Sequence, residues 1–181
     1  MVMTHLEMTK RAATRDVPLP DGVSFRKVTP DVAWYRDVFE RVGSRWLWFG
    51  RCLVPDDALL GILTDTDIEI YTLAQDGQDE ALLELDFRTQ GACELAYFGL
   101  TNKLIGTGAG RALMDRAIAR AWARDINRFH LHTCSIDSPQ ALPFYMRSGF
   151  VPTHVQVEID DDPRLTGLLP RTAAPHVPIL G

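Results

Sequence analysis

Apolar and polar residues alternate and cluster so as to divide most of the chain into strands and helices. Val23–Val28 alternates at the period of two that marks a half-buried strand, and Thr29-Pro30-Asp31 then supplies the capping chemistry for a helix through about Val42. Gly43–Arg51 reads Gly-Ser-Arg-Trp-Leu-Trp-Phe-Gly-Arg, an aromatic turn bounded by glycines, before Pro55-Asp56-Asp57 opens a short helix to about Leu63. Asp67–Ala74 and Ala81–Arg88 are strand-like, and the Asp-Gly pair in the intervening Gln75-Asp76-Gly77-Gln78 favours a hairpin turn. Cys93–Leu100 is a further strand-like run leading into Gly106-Thr107-Gly108-Ala109-Gly110. From Arg111 the period changes to that of a helix, with Leu113, Met114, Ala117, Ile118, Ala121 and Trp122 on one face and Asp115, Arg116, Arg120 and Arg124 on the other. Arg128–Cys134 is again a strand, so Cys93–Cys134 predicts a crossover between parallel strands. Asp137 or Ser138 is expected to cap the next helix, with Pro139 at its first position and Gly149 at its end, and Val151–Ile159 returns as a last strand. The reading is one domain over residues 23–159, with residues 1–22 a peripheral arm and residues 160–181 an irregular tail carrying Asp160-Asp161-Asp162-Pro163.

Composition narrows the class without choosing a function. With 46% apolar and 24% charged residues the chain is globular, and no apolar run approaches the roughly 20 residues that a membrane span needs. Residues 1–20 contain Lys10, Arg11 and Arg15 but no apolar signal core, and the three cysteines, Cys52, Cys93 and Cys134, lack metal-finger spacing. Reduced thiols in a cytoplasm are therefore expected, and a disulfide framework is not. A net charge of −5 argues against a nucleic-acid footprint and agrees with a cationic or amine-bearing substrate.

The glycine run carries the most chemistry. Three alternate glycines at a helix N-terminus leave bare N–H groups that can cradle a pyrophosphate. A dinucleotide fingerprint would need a third glycine where Arg111 stands, and a nucleoside-triphosphate loop would need Gly-Lys-Ser/Thr, which is absent. Ile105-Gly106-Thr107-Gly108-Ala109-Gly110 is similar to the acyl-CoA loop of the GCN5-related N-acetyltransferase (GNAT) superfamily, departing from it where Ile105 replaces an arginine or glutamine. Ala141-Leu142-Pro143-Phe144-Tyr145-Met146-Arg147-Ser148-Gly149-Phe150 resembles that family's alanine, tyrosine and Gly-Phe spacing, and the element order over about Val23–Ile159 resembles the family as well.

The resemblance implies a mixed α/β fold, a central twisted mixed sheet flanked by helices with a parallel strand-helix-strand acyl-CoA unit. It also implies an acetyl-CoA-dependent N-acetyltransferase acting by direct transfer to a primary amine of a small molecule or peptide, with acetyl-CoA as cosubstrate and no metal. By the resemblance, backbone groups of Phe98 and Leu100 pair with the pantetheine arm, and the amides of Ile105, Gly106, Thr107, Gly108, Ala109, Gly110 and Arg111 hold the pyrophosphate. Ser138 stands where family members often contact the coenzyme with an asparagine. The chemistry asks for a base, because the acceptor amine is protonated near neutral pH, and for an acid to protonate the departing thiolate. Glu94, six residues before Leu100, matches the family's glutamate base, with a solvated or ion-paired strand carboxylate as the alternative. Tyr145 matches the acid, with an ordinary core tyrosine as the alternative.

Other constellations compete less well. His130, His132 and Cys134 share a strand face but are spaced too far apart along an extended strand to converge on one ion, although His132 could assist as a base. Cys134 could carry an acetyl group in a ping-pong scheme that no neighbouring feature demands. Arg111 and Arg147 could neutralise coenzyme phosphates or merely be solvated. Trp34, Tyr35, Trp46, Trp48 and Phe49 lie where the family builds its acceptor pocket, with carboxylates such as Asp86 nearby. A catalytically weak acyl-CoA-binding sensor or interaction module remains the alternative function. The partners expected are the amine and, as an open alternative, a second copy in a homodimer; neither nucleic acid nor a membrane is expected.

Overall fold

A computed structural model describes residues 1–180. Its elements are β1 (Val2–Met8), β2 (Val23–Val28), α1 (Val32–Gly43), α2 (Asp56–Leu63), β3 (Ile68–Gln75), β4 (Gln78–Asp79), β5 (Ala81–Asp86), β6 (Ala92–Leu100), α3 (Ala109–Ala121), β7 (Arg128–Cys134), α4 (Ala141–Arg147) and β8 (Val151–Val157). Two short 3-10 turns, Ser44–Trp46 and Gly50–Leu53, join α1 to α2. The mixed sheet runs β2-β3-β5-β6-β7-β1-β8, with β4 pairing β3 beside this path. Only β6 and β7 run parallel, as the crossover through α3 requires.

Local chemistry explains most of these elements. The Asp31 carboxylate accepts the Trp34 N–H at 2.7 Å and caps α1, while Asp76 and Gly77, at φ 52° and 78°, form the hairpin turn that the Asp-Gly pair favours. β5 is buried over Ala81–Leu85 because helices cover both of its faces. Leu83 and Leu85 join the core beneath α3, and Leu82 joins Tyr35, Val38 and Leu59 of α1 and α2 on the other side. Each fully buried leucine contributes about 2 kcal/mol relative to exposure.

Three expectations are corrected. Val2–Met8, expected in a peripheral arm, is a strand within the sheet, antiparallel to β7 on one side and β8 on the other, so the last strand meets β1 instead of β7. The cause is the alternation of Leu6 and Met8, which face the core, with His5 and Glu7. α3 starts at Ala109, two residues before Arg111. α4 starts only at Ala141, so Pro139 occupies the preceding turn, and Asp137 and Ser138 serve that turn rather than the helix.

Candidate active site

The site begins where two parallel strands part. β6 pairs with β7 only from Ala92 to Glu94, and beyond Glu94 the strands splay. On the other edge of β6, Leu95 faces Leu85 and Tyr97 faces Glu84, which leaves Ala96 as the extra residue of a bulge. The backbone of Leu95–Leu100 therefore has its β7-facing edge free. The fork opens a cavity of about 290 Å³ that runs from Ser138 and Tyr145 on one side, past Phe98 and His132, to Trp46 and Phe49 on the other.

The glycine loop sits beside this fork at the start of α3. Gly106 and Gly108 adopt φ 83° and 92°, where a side chain is strained, and an added Cβ would meet nothing within 4 Å at either. The amides of Ile105, Gly106 and Gly108 have no hydrogen-bond partner among the described residues. Thr107 turns its hydroxyl inward onto the Leu104 carbonyl at 2.8 Å, and Ile105 is 47% exposed. Open space, free amides and a helix N-terminus fit a pyrophosphate held by main chain. Arg111 stacks on the Phe144 ring at 4.7 Å and donates to the Ser148 hydroxyl at 2.8 Å. Burial and then the repulsion of Arg15 hold its guanidinium below its ordinary range, opposed by the Asp115 carboxylate and aided least by Arg147. No ion pair joins Arg15, Arg111 or Arg147 to a carboxylate among the described residues. Arg15 reaches this place because the Val17 N–H bonds the Asp115 carboxylate at 3.2 Å and Ala12 lies against Gly149.

Tyr145 borders the cavity with its ring against Phe98, Phe144 and Phe150. Its hydroxyl bonds nothing among the described residues, and burial, reinforced by Asp137 and Cys134, holds its proton well above the ordinary phenol range. Glu94 lies at the fork itself, just outside the cavity, 37% exposed at its side chain and 3.9 Å from Nδ1 of His132, which does line the cavity. The Cys134 thiol is pushed up to about 11, first by burial and then by the Asp137 carboxylate. Asp137 is engaged by the Thr133 hydroxyl at 2.7 Å and the Cys134 N–H at 2.8 Å. Ser138 lines the cavity and accepts the Gln140 N–H at 3.3 Å.

The aromatic residues divide. Trp46, Trp48 and Phe49 line the cavity, whereas the Tyr35 hydroxyl donates to buried Glu84 and Trp34 Nε1 to Asp79 at 2.8 Å. Asp86, expected beside an aromatic pocket, is instead paired with Arg88 at 2.5 Å. His130, His132 and Cys134 do share a face, and no group of three metal-ligating side chains converges among the described residues. Sequence reasoning missed Tyr97, whose ring carries Arg51 at 5.2 Å, and Arg51 in turn is salt-bridged to Glu84. It also missed Glu158 and Asp160, which border the cavity from beyond β8. Only the bulge and the fold-back of the tail bring these groups to the site, and neither has a local sequence signal.

Known proteins share this fold. The chain resembles a GCN5-related N-acetyltransferase from Sphaerobacter thermophilus at 15% identity and TM-score 0.66, over 89% of this chain and 54% of that one. A GNAT family acetyltransferase from Elizabethkingia anophelis with acetyl-CoA bound matches at 16% identity and TM-score 0.57, over 75% and 80% of the two chains. An aminoglycoside acetyltransferase from an uncultured soil metagenomic sample matches at 11% identity and TM-score 0.57, over 78% and 94%. The chain spans 54–58% of the length of the first three solved structures it matches, and no curated protein sequence matches it. No helix among the described residues is long and apolar enough to cross a membrane. The family sequence model for the acetyltransferase (GNAT) family matches residues 33–150, from α1 through the glycine loop to the Gly-Phe turn after α4, and the chain belongs to that family.

Proposed function

We propose that this chain transfers an acetyl group from acetyl-CoA to a primary amine of a small molecule or peptide, both substrates being bound together. The observation that carries the reading is the fork between β6 and β7, where a cavity joins the Tyr145 side to the aromatic turn, with Gly110 at the start of α3 close against Leu100 of β6. Acetyl-CoA supplies an activated thioester. The free edge of β6 at Phe98 and Leu100 hydrogen-bonds its amide-bearing arm, and the free amides of Ile105, Gly106 and Gly108 hold its pyrophosphate, those of Thr107, Ala109 and Arg111 being bonded to the Leu104 carbonyl, the Thr107 hydroxyl and the Gly108 carbonyl, with Arg111, Arg147 and Arg15 supplying positive charge.

The acceptor enters from the Trp46 side and loses a proton to Glu94, directly or through water, with His132, 3.9 Å from that carboxylate, able to assist as a base. The amine nitrogen then bonds to the acyl carbon as the carbon–sulfur bond breaks, Tyr145 gives its proton to the departing sulfur, and the nitrogen's second proton returns to the Tyr145 oxygen as the amide forms. Net, one proton is released for each ammonium acetylated. A protonated Cys134 thiol favours this direct route over an acyl-cysteine. The test is thiol release from acetyl-CoA against a panel of amino acids, polyamines, aminoglycosides and peptides. Turnover with an amine that Tyr145→Phe lowers supports the reading. Tight acetyl-CoA binding with no turnover on any amine would leave the sensor.

A further inference from the structure

The residues beyond β8 form a strap over the acceptor side of the cavity. Leu169, Ala173 and Ala174 are buried against Leu47, with Phe49 and Ile136 packed beside them. Arg164, only 3% exposed, ties the strap together by donating to the carbonyls of Ala173 and Ala174 at 3.2 Å, to that of Val177 at 2.9 Å, and to the Asp162 carboxylate at 2.6 Å. The His176 ring meets Trp46 edge-on at 5.4 Å.

This packing places Asp160 and Phe49 on the wall between two spaces. One is the fork cavity; the other, of about 540 Å³, is also lined by Asp161, Leu53 and Thr166. Glu158 lines the fork cavity, as does Met1, whose α-ammonium donates to the Glu158 carbonyl, and neither space is lined by a lysine or arginine side chain among the described residues. Glu158, Asp160 and Asp161 form no ion pair among the described residues, whereas Asp162 is taken by Arg164. The fork cavity is also lined by Trp46, Trp48 and Tyr97, of which Trp46 and Tyr97 already carry Arg45 and Arg51 over a ring at 5.2 Å. The Tyr97 hydroxyl lies 3.2 Å from where a Cβ on Gly50 would stand and has no partner among the described residues. Carboxylates without an ion-pair partner along one passage attract a cation, and a hydroxyl without a partner is left to accept an N–H.

We infer that the strap is part of the acceptor site, and that Glu158 and Asp160 select an acceptor carrying a second cationic group besides the amine that is acetylated. The inference rests on the acetyl-transfer reading and names its substrate class. The reacting amine sits in the fork near His132, and the second ammonium lies on the Asp160 wall toward Asp161. A monoamine leaves that wall unpaired, and an amino acid brings a carboxylate to it.

Calorimetry on the full chain saturated with CoA tests this without turnover, comparing 1,5-diaminopentane with n-pentylamine. The parent is expected to bind the diamine about tenfold more tightly. Glu158→Gln with Asp160→Asn, both nearly isosteric, is expected to erase the preference and leave CoA affinity unchanged. A parent that binds the two amines equally, or a preference that survives the double substitution, overturns the inference. Thiol release in parallel keeps the two ideas apart: a diamine bound with preference but never acetylated sinks the transfer reading alone, and acetylation without preference sinks only the selection of a dication.

Discussion

Tyr145 and Cys134 border the same cavity, and both are held protonated by burial, with opposite consequences for the two chemical routes. A thiol whose pKa is about 11 is a poor nucleophile at neutral pH, so Cys134→Ala is expected to keep kcat within about twofold of the parent. A drop of a hundredfold, with acetyl label trapped on the parent protein, would restore the ping-pong scheme. For Tyr145 the raised pKa is what a proton donor needs. The sign follows directly: a phenol held above its ordinary value of about 10 stays protonated across the neutral and mildly alkaline range. The kcat profile should therefore show no alkaline fall up to about pH 10, and Tyr145→Phe should lower the plateau by about a hundredfold or more. A fall in the parent's kcat centred near pH 8 would show that another group donates the proton. Both residues were legible in the sequence, Tyr145 through its spacing to Gly149-Phe150. Their protonation was not, because it depends on packing by Phe98, Phe150 and Asp137 from other parts of the chain.

Among the elements, the glycine loop and the aromatic turn owe their shapes to different causes. Gly108 needs its positive φ, so an alanine there costs about 1 to 2 kcal/mol of strain and also puts a methyl group where the pyrophosphate would lie. Gly77 in the hairpin turn has nearly the same constraint, at φ 78°, but lies outside the site. Gly77→Ala and Gly108→Ala should thus lose similar stability in urea unfolding, while only Gly108→Ala weakens acetyl-CoA by about tenfold or more. Equal affinities in the two variants would remove the loop from the binding site. The aromatic turn is instead pinned from below: Arg51 reaches Glu84, which is fully buried and also accepts from Tyr35. Removing one partner, as in Arg51→Met, leaves a buried carboxylate and should cost about 3 kcal/mol, much of it recovered when Glu84→Met is added. The loop could be read from its glycines because the main-chain cradle proposed for it needs free backbone. The Arg51–Glu84 pair could not, since an arginine in a turn and a glutamate in a strand predict no contact across thirty-odd positions.

At the scale of the whole molecule, the alternation of apolar and polar residues located every strand from β2 to β8 except the two-residue β4, and the family motifs pointed to the glycine loop and Tyr145, on which the proposed donor side rests. The acceptor side was hidden because its walls come from both ends of the chain. Met3 of β1 and Asp160 of the strap line one cavity, and neither belongs to a motif. β1 also fills a place in the sheet that Val151–Val157 would otherwise have to occupy to reach β7. Met3, Leu6 and Met8 are at most 7% exposed, and Leu6 and Met8 face the core beneath α3. Deleting residues 1–8 would expose the edge of β7, strip β8 of its only partner among the described residues and open the fork cavity at Met3. Three buried side chains at about 2 kcal/mol each, with a row of backbone hydrogen bonds on either side, approach the entire stability of an ordinary domain. The shortened chain is therefore expected to lose its cooperative thermal transition and its acetyl-CoA binding together. A truncated protein that melts cooperatively within a few degrees of the parent would mean that β8 has moved to pair with β7, a shift that hydrogen exchange along Arg128–Cys134 would detect as retained protection.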